Sequence, residues 1–227
     1  MTETALDFSD EDVQKMLDNL DSFSQEEVVE IDRIVNELAS RKQNELAFND
    51  LVEFCKRMQP DYIVGEHHRI LADMLMGIER GEKDRICVNI PPRHGKSQLV
   101  SIYFPAWVLG RWNTSMGGEY YACGIGSSIA GRGADLLLID DPHSEQDVIN
   151  GNFEVFEKAY EWFTFGARTR LMPGGRVAII QTRWHMDDLT GRVTKDMVNN
   201  DLSDQYDVVE FPAILDTTNK EGEPIQK

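Results

Sequence analysis

Residues 85–97 read RICVNIPPRHGKS, and this stretch decides the fold. Its first six residues are short, apolar and β-branched, the make-up of a strand. Pro91 and Pro92 end that strand and stiffen the chain beyond it. Gly95-Lys96-Ser97 then opens KSQLVSIYFPAWVLG (96–110), whose pattern predicts a helix. A strand, a loop and a helix, with Gly-Lys-Ser where the helix begins, is the context in which backbone N–H groups and the helix dipole can cradle phosphate. The full pattern G-x-x-x-x-G-K-[ST] would need glycine at position 90, where this chain carries Ile90.

Read as a phosphate loop, the stretch makes Pro92, Arg93, His94, Gly95, Lys96, Ser97 and Gln98 the nucleotide-binding candidates. Lys96 would reach the β- and γ-phosphates, the Ser97 hydroxyl would ligate Mg²⁺, and Gly95 lets the backbone approach closely. Phosphoryl transfer also needs one carboxylate on the metal and another to activate the attacking water. LLLIDD (136–141) supplies an apolar strand ending in Asp140 and Asp141, at the strand end where open α/β sheets bind ligands. Asp140 is the metal-side carboxylate and Asp141 the general base, with a shorter reach than glutamate. A third strand, in VAIIQTRWH (177–185), ends in Gln181, Thr182 and Arg183, polar groups placed to couple phosphate loss to movement. Arg132, between two glycines in GRGAD (131–135), is either a finger for a neighbouring subunit or a surface arginine in a turn. The five histidines lack zinc-ligand spacing; His94 either touches phosphate or packs.

The 227 residues, 41% of them hydrophobic, allow one large domain or one domain with a tail. The net charge is −17, and residues 1–50 carry fourteen acids against four bases. So acidic a chain is a poor general binder of nucleic acid, and any DNA contact has to be local or shared with partners. Cys55, Cys87 and Cys123 form no C-x-x-C pair and read as reduced core residues of an intracellular protein. No apolar run approaches the ~18 residues of a membrane helix, so no membrane role is expected, and the acidic start is not a secretory signal.

Caps and apolar spacing predict four helices before the strand at 85–90: one from Ser9 or Asp10, one from Ser24 with its capping-box partner Glu27, one ending before Pro60, and one ending at Gly81. Beyond the loop, EYYACGIG (119–126) is expected as a strand, DLLLID (135–140) as a buried parallel strand, 154–171 as helical, Pro173-Gly174-Gly175 as a turn, 176–182 as a buried strand and 206–215 as a last strand. The alternation predicts an α/β fold, a mostly parallel sheet flanked by helices with a helical N-terminal extension. The expected divisions are an acidic helical extension over 1–58, a core over 59–216 and a linker or tail over 217–227.

Three blocks carry a more specific likeness: HHRILADMLMGIERGEKDRICVNIPPRHGKS (67–97), GRGADLLLIDDPHSEQD (131–147) and PGGRVAIIQTRWHMDDLTGRV (173–193). In this order they resemble the large terminase subunit of tailed bacteriophages, over most of residues 60–215. The resemblance implies a P-loop NTPase of the ASCE, RecA-like kind that uses Mg²⁺ and ATP to drive double-stranded DNA into a procapsid. It implies PPRHGKS as a deviant Walker A, Asp140 and Asp141 as the Walker B pair, Thr182 in the coupling motif and Arg132 as the trans-acting finger. It also places an adenine-contacting region around Tyr62 to His68, with His67 or His68 as the base reader. Implied partners are the portal protein, the small terminase subunit and further copies in a ring, in the host cytoplasm and transiently on the procapsid.

Two departures qualify it. The family's nuclease half has no counterpart here, so an isolated ATPase half that does not cut DNA is expected. The interval from Lys96 to Asp140 is also short for the family, either naturally or through loss of a strand-and-helix unit. Two other readings stay open: a non-hydrolysing nucleotide-binding docking subunit of the packaging complex, and a related DNA translocase or helicase core.

Overall fold

The structure, a computed structural model, describes residues 9–111, 119–129 and 131–212. The chain divides into two compact units, residues 1–62 and 63–227. In the first, α1 (Asp10–Asp18), a 3₁₀ turn (Leu20–Ser22), α2 (Gln25–Asn49) and α3 (Leu51–Met58) follow in order. Capping boxes start the two long segments: Ser9 with Asp12, and Ser24 with Glu27. Asp50 then caps α3 through the Glu53 N–H. Arg57 clasps α3 to α2, its guanidinium donating to Asn44, Gln43 and Ser40 at 3.1–3.2 Å. Many of the acids here are paired within their own helix, as Glu30 and Glu37 are with Arg33. Such exposed pairs add little stability.

The second unit opens with α4 (Glu66–Arg80), which Gly81 terminates at φ 75°. A β-carbon there would lie 2.6 Å from the Arg176 guanidinium, so both backbone and space call for glycine. β1 (Arg85–Asn89) follows, then the loop, then a π-wound helical segment (Gln98–Tyr103) continuing into α5 (Phe104–Arg111). Pro105 falls just after the π winding passes into α5, and its missing N–H leaves one gap in the helical ladder there. The remaining elements are β2 (Ala134–Asp140), α6 (Glu145–Ile149), α7 (Glu154–Glu161) with π and 3₁₀ turns to Arg170, β3 (Leu171–Gln181), α8 (Leu189–Asn199) and β4 (Asp207–Glu210).

The four strands make one all-parallel sheet in the order β2-β3-β1-β4. β1 and β3 lie inside it and are its most buried strands: Ile86, Cys87, Val88 and Val177 to Ile180 are all fully enclosed. On one face Cys87, Ile139, Val177 and Ile179 pack with Leu189 and Val193 of α8, Phe163 and Tyr206. The alternate residues face α4, which Arg176 also reaches through the Glu79 carbonyl. This is the expected α/β architecture, with helices flanking a parallel sheet.

Several expectations are corrected. Residues 119–126 form no strand: they run irregularly and exposed, so Cys123 is exposed rather than core. β2 is not a buried strand. Leu136, Leu137 and Leu138 are only half-buried, because among the described residues β2 has a neighbour on one side alone. Pro173 to Gly175 do not interrupt β3 as a separate turn. They form a bulge within it, where the register jumps from Ala134↔Leu171 to Leu136↔Arg176. The last strand is shorter than expected, ending at Glu210; positions 213–215 of that segment, and the tail at 217–227, lie outside the described residues.

Candidate functional site

The carboxyl ends of β1, β2 and β3 converge because the three are parallel neighbours. Beyond β1, residues 90–97 turn back over the sheet end. Ile90 still bonds the Gln181 carbonyl at 2.9 Å, so the loop leaves from a fixed point beside β3. Arg93 and Gly95 take left-handed backbones, at φ 64° and 71°. A β-carbon on Gly95 would come within 2.6 Å of His68 Nε2. Gly95 is therefore required twice over, by its torsion and by the buried imidazole beneath it.

Lys96 is the pivot. It is 5% exposed, and its ammonium donates to Thr182 Oγ1 at 2.9 Å and pairs with Asp141 Oδ2 at 2.7 Å. The other Asp141 oxygen accepts the Thr182 N–H at 2.9 Å. One carboxylate thus bridges the loop lysine and the end of β3. Asp141 holds this place at φ 45°. It and Arg93 are the non-glycine residues with positive φ among those described. Backbone strain of this kind concentrates where function over-determines conformation.

Asp140 points to the other side. Its carboxylate accepts from Ser97 at 3.5 Å and from Ser101 at 2.5 Å. Burial holds its carboxyl above the usual carboxylate range; the Ser101 hydroxyl opposes that and the neighbouring Asp141 charge adds to it. Hydroxyl and carboxylate oxygens with few further protein ligands are the donor set that suits Mg²⁺, which keeps waters and phosphate oxygens for its other positions. Among the described residues no cluster of three or more His, Cys, Asp or Glu forms an all-protein cage.

The histidines form a wall beside the loop. His68 accepts the Gly65 N–H on Nδ1 at 3.0 Å. Burial, with His67 beside it, pushes its imidazole below the ordinary range and favours the neutral ring that this bond needs. The His67 and His68 rings lie 4.0 Å apart, and His67 Nε2 lies 3.2 Å from the His94 carbonyl. His94 turns back to the Pro92 carbonyl at 2.9 Å, while Arg93 and Pro92 are exposed at the loop tip.

Other candidates are placed elsewhere. Gln98 donates to Tyr103. Arg132 pairs with Glu119 and lies over the Tyr121 ring at 4.2 Å. Arg183 is turned to the cap of α8, donating to Asp188 at 2.9 Å. Asp188 is wholly buried and also accepts from the Trp184 and Gly191 N–H groups. Gln181 is fully buried.

Two residues were missed. Ser101 follows Ser97 by four positions on a helix, so both hydroxyls share a face; that spacing was visible in the sequence. Asn89 is a lone amide in an apolar strand, and the register sets it beside Gln181. Compared with protein-family models, curated proteins and solved structures, the chain matches none.

Proposed function

We propose that this chain is a Mg²⁺-dependent ATPase of the P-loop kind, the motor domain of a large terminase subunit that drives double-stranded DNA into a procapsid. The observation carrying this reading is the bridge Lys96–Asp141–Thr182, which joins the candidate phosphate loop, the base candidate and the end of β3 through bonds of 2.7–2.9 Å. In this arrangement Asp141 stands in for the phosphate. An incoming triphosphate competes for the Lys96 ammonium, and its capture releases Asp141 to accept a proton from water. Ser97, Ser101 and Asp140 hold the metal side. Mg²⁺, when bound, supplies positive charge to the phosphate oxygens and lowers the cost of charge developing there. Thr182, losing its lysine partner as the site changes hands, passes the change to the end of β3. His67 or His68 serves as the base contact, and Arg132 acts on a neighbouring copy in a ring. The portal protein and small terminase subunit are the proposed partners.

A second reading is a nucleotide-binding docking subunit without turnover. It is favoured by the same ion pair, which occupies the group that would activate water, and by the half-buried β2 at the sheet edge.

The test is ATP turnover by the purified chain with Mg²⁺, beside Lys96→Ala and Asp141→Asn, over a range of protein concentration. Turnover that rises with concentration and is lost in both variants supports the motor. Lys96-dependent ATP binding with no turnover supports the docking subunit. The absence of Lys96-dependent binding overturns both.

A further inference from the structure

A row of polar residues crosses the sheet just below this site. Asn89 of β1 is the register partner of Gln181 of β3 on one side and of Glu210 of β4 on the other. The Asp141 N–H bonds the Ile180 carbonyl at 2.9 Å, carrying the β2–β3 ladder one residue past β2 and setting Asp141 beside Gln181. Asn89 and Gln181 therefore stand side by side on two strands, and Asp141, the left-handed residue that follows β2, lies at the level of Gln181. Register partners on parallel strands share a face, roughly 4.8 Å apart.

The two amides are anomalous. Asn89 is 2% exposed and Gln181 wholly enclosed. Neither the oxygen nor the nitrogen of either side chain has a hydrogen-bond partner among the described residues. Two positions before them on the same face stand Cys87 and Ile179, packed against α8 in the apolar core. An amide buried beside such neighbours without a partner is costly, and an apolar side chain of the same shape would avoid the cost. An orphaned buried polar group of this kind asks for a functional account.

We propose that Asn89 is a positioning residue acting through Gln181 on Asp141. This rests on the ATPase reading above. With Lys96 on Asp141, the amides are idle. When phosphate draws Lys96 away, Asp141 Oδ2 loses its cation. Asn89 then donates to the Gln181 carbonyl, which fixes that amide's orientation and turns its NH₂ toward Asp141. Gln181 donates to the freed carboxylate, a charge-assisted bond. Asp141 stays in place as the base without the lysine that held it. An amide is suited to this because it donates and accepts at once, and carries no charge that would compete with phosphate for Lys96.

The test uses the near-isosteric variants Asn89→Leu and Gln181→Met, each compared with wild type and Lys96→Ala. Melting is followed without nucleotide and with a non-hydrolysable ATP analogue plus Mg²⁺, and kcat and KM are measured on ATP. The expected result is a nucleotide-free Tm unchanged or raised, a KM within about twofold and a kcat lowered by about 10- to 100-fold, the scale of a misplaced catalytic group. The double variant should be no slower than the worse single one. A purely structural role gives the opposite: a lowered nucleotide-free Tm, the same analogue-induced rise and a wild-type kcat. That result overturns the inference while leaving the ATPase reading intact. A wild-type chain with no Lys96-dependent turnover overturns both. Should Asn89→Leu fail to fold, Gln181→Met with wild-type kcat is sufficient to overturn it.

Discussion

The Lys96–Asp141 pair makes an asymmetric prediction that needs no assumption about substrate. The Lys96 side chain is 7% exposed and that of Asp141 34% exposed, with 2.7 Å between their charged atoms. Removing the lysine charge with Lys96→Met leaves a carboxylate that water can reach and that still accepts the Thr182 N–H. The cost should be about 1–2 kcal/mol, the range for a partly relieved polar group. Removing the carboxylate charge with Asp141→Asn leaves an ammonium enclosed with only neutral partners, and should cost about 3 kcal/mol, near the lower end for a broken buried pair. Asparagine is the right probe because it tolerates the left-handed backbone at this position, where alanine would add strain of its own. The double variant should cost about 2 kcal/mol, less than Asp141→Asn alone, because methionine removes the stranded ammonium, a coupling of about 2–3 kcal/mol. For a unit of this size that corresponds to about 4–12 °C in melting temperature. Urea unfolding of the four nucleotide-free proteins, at low and high salt, measures the cycle. A partly buried pair should keep most of its coupling in salt. Additivity within about 0.5 kcal/mol, or a Lys96→Met variant less stable than Asp141→Asn, would refute the reasoning.

Gly95→Ala must adopt φ 71° and meets His68 Nε2 at 2.6 Å. It should lose about 1–2 kcal/mol from the torsion alone and weaken nucleotide binding, with His68→Ala restoring part of the stability; a wild-type melt for Gly95→Ala would contradict the loop geometry. Asp140→Asn should raise the stability of the metal-free protein. Burial raises the folded carboxyl above its unfolded value of 3.8, so the wild type loses stability as pH climbs from there through the folded value. The variant's advantage should therefore be near zero below about pH 4 and grow as pH rises, and an advantage largest in acid would sink the assignment. Thiol alkylation of the folded protein at pH 8 should label Cys123 alone. It is exposed, whereas burial pushes the Cys55 and Cys87 thiols up to about 12. Mass spectrometry showing labelled Cys87 would mean that β1 opens.

What the sequence determined by itself is local. A Ser or Asp before an apolar stripe satisfies the first N–H groups of a helix, and a left-handed glycine ends one. α1, α2, α3 and α4 were therefore legible from Ser9, Ser24, Pro60 and Gly81, each a choice made within four residues of chain. The strand, loop and helix around Gly95-Lys96-Ser97 were legible for the same reason, as were the polar ends of β2 and β3. A strand, by contrast, is completed by a neighbour that can lie far away in the chain. EYYACGIG has the composition of a strand but pairs with no strand among the described residues, and LLLID is half-exposed because of where it falls in the sheet, not because of what it contains. Only the tertiary structure decided that order, β2-β3-β1-β4. With the order came the contacts that make the site: Lys96 on Asp141 and Thr182 across 45 and 86 positions of sequence, and Asn89 beside Gln181 across 92. Such pairings follow from which strands lie next to one another, and hydrogen bonds between distant strands leave no periodic trace in the chain that forms them.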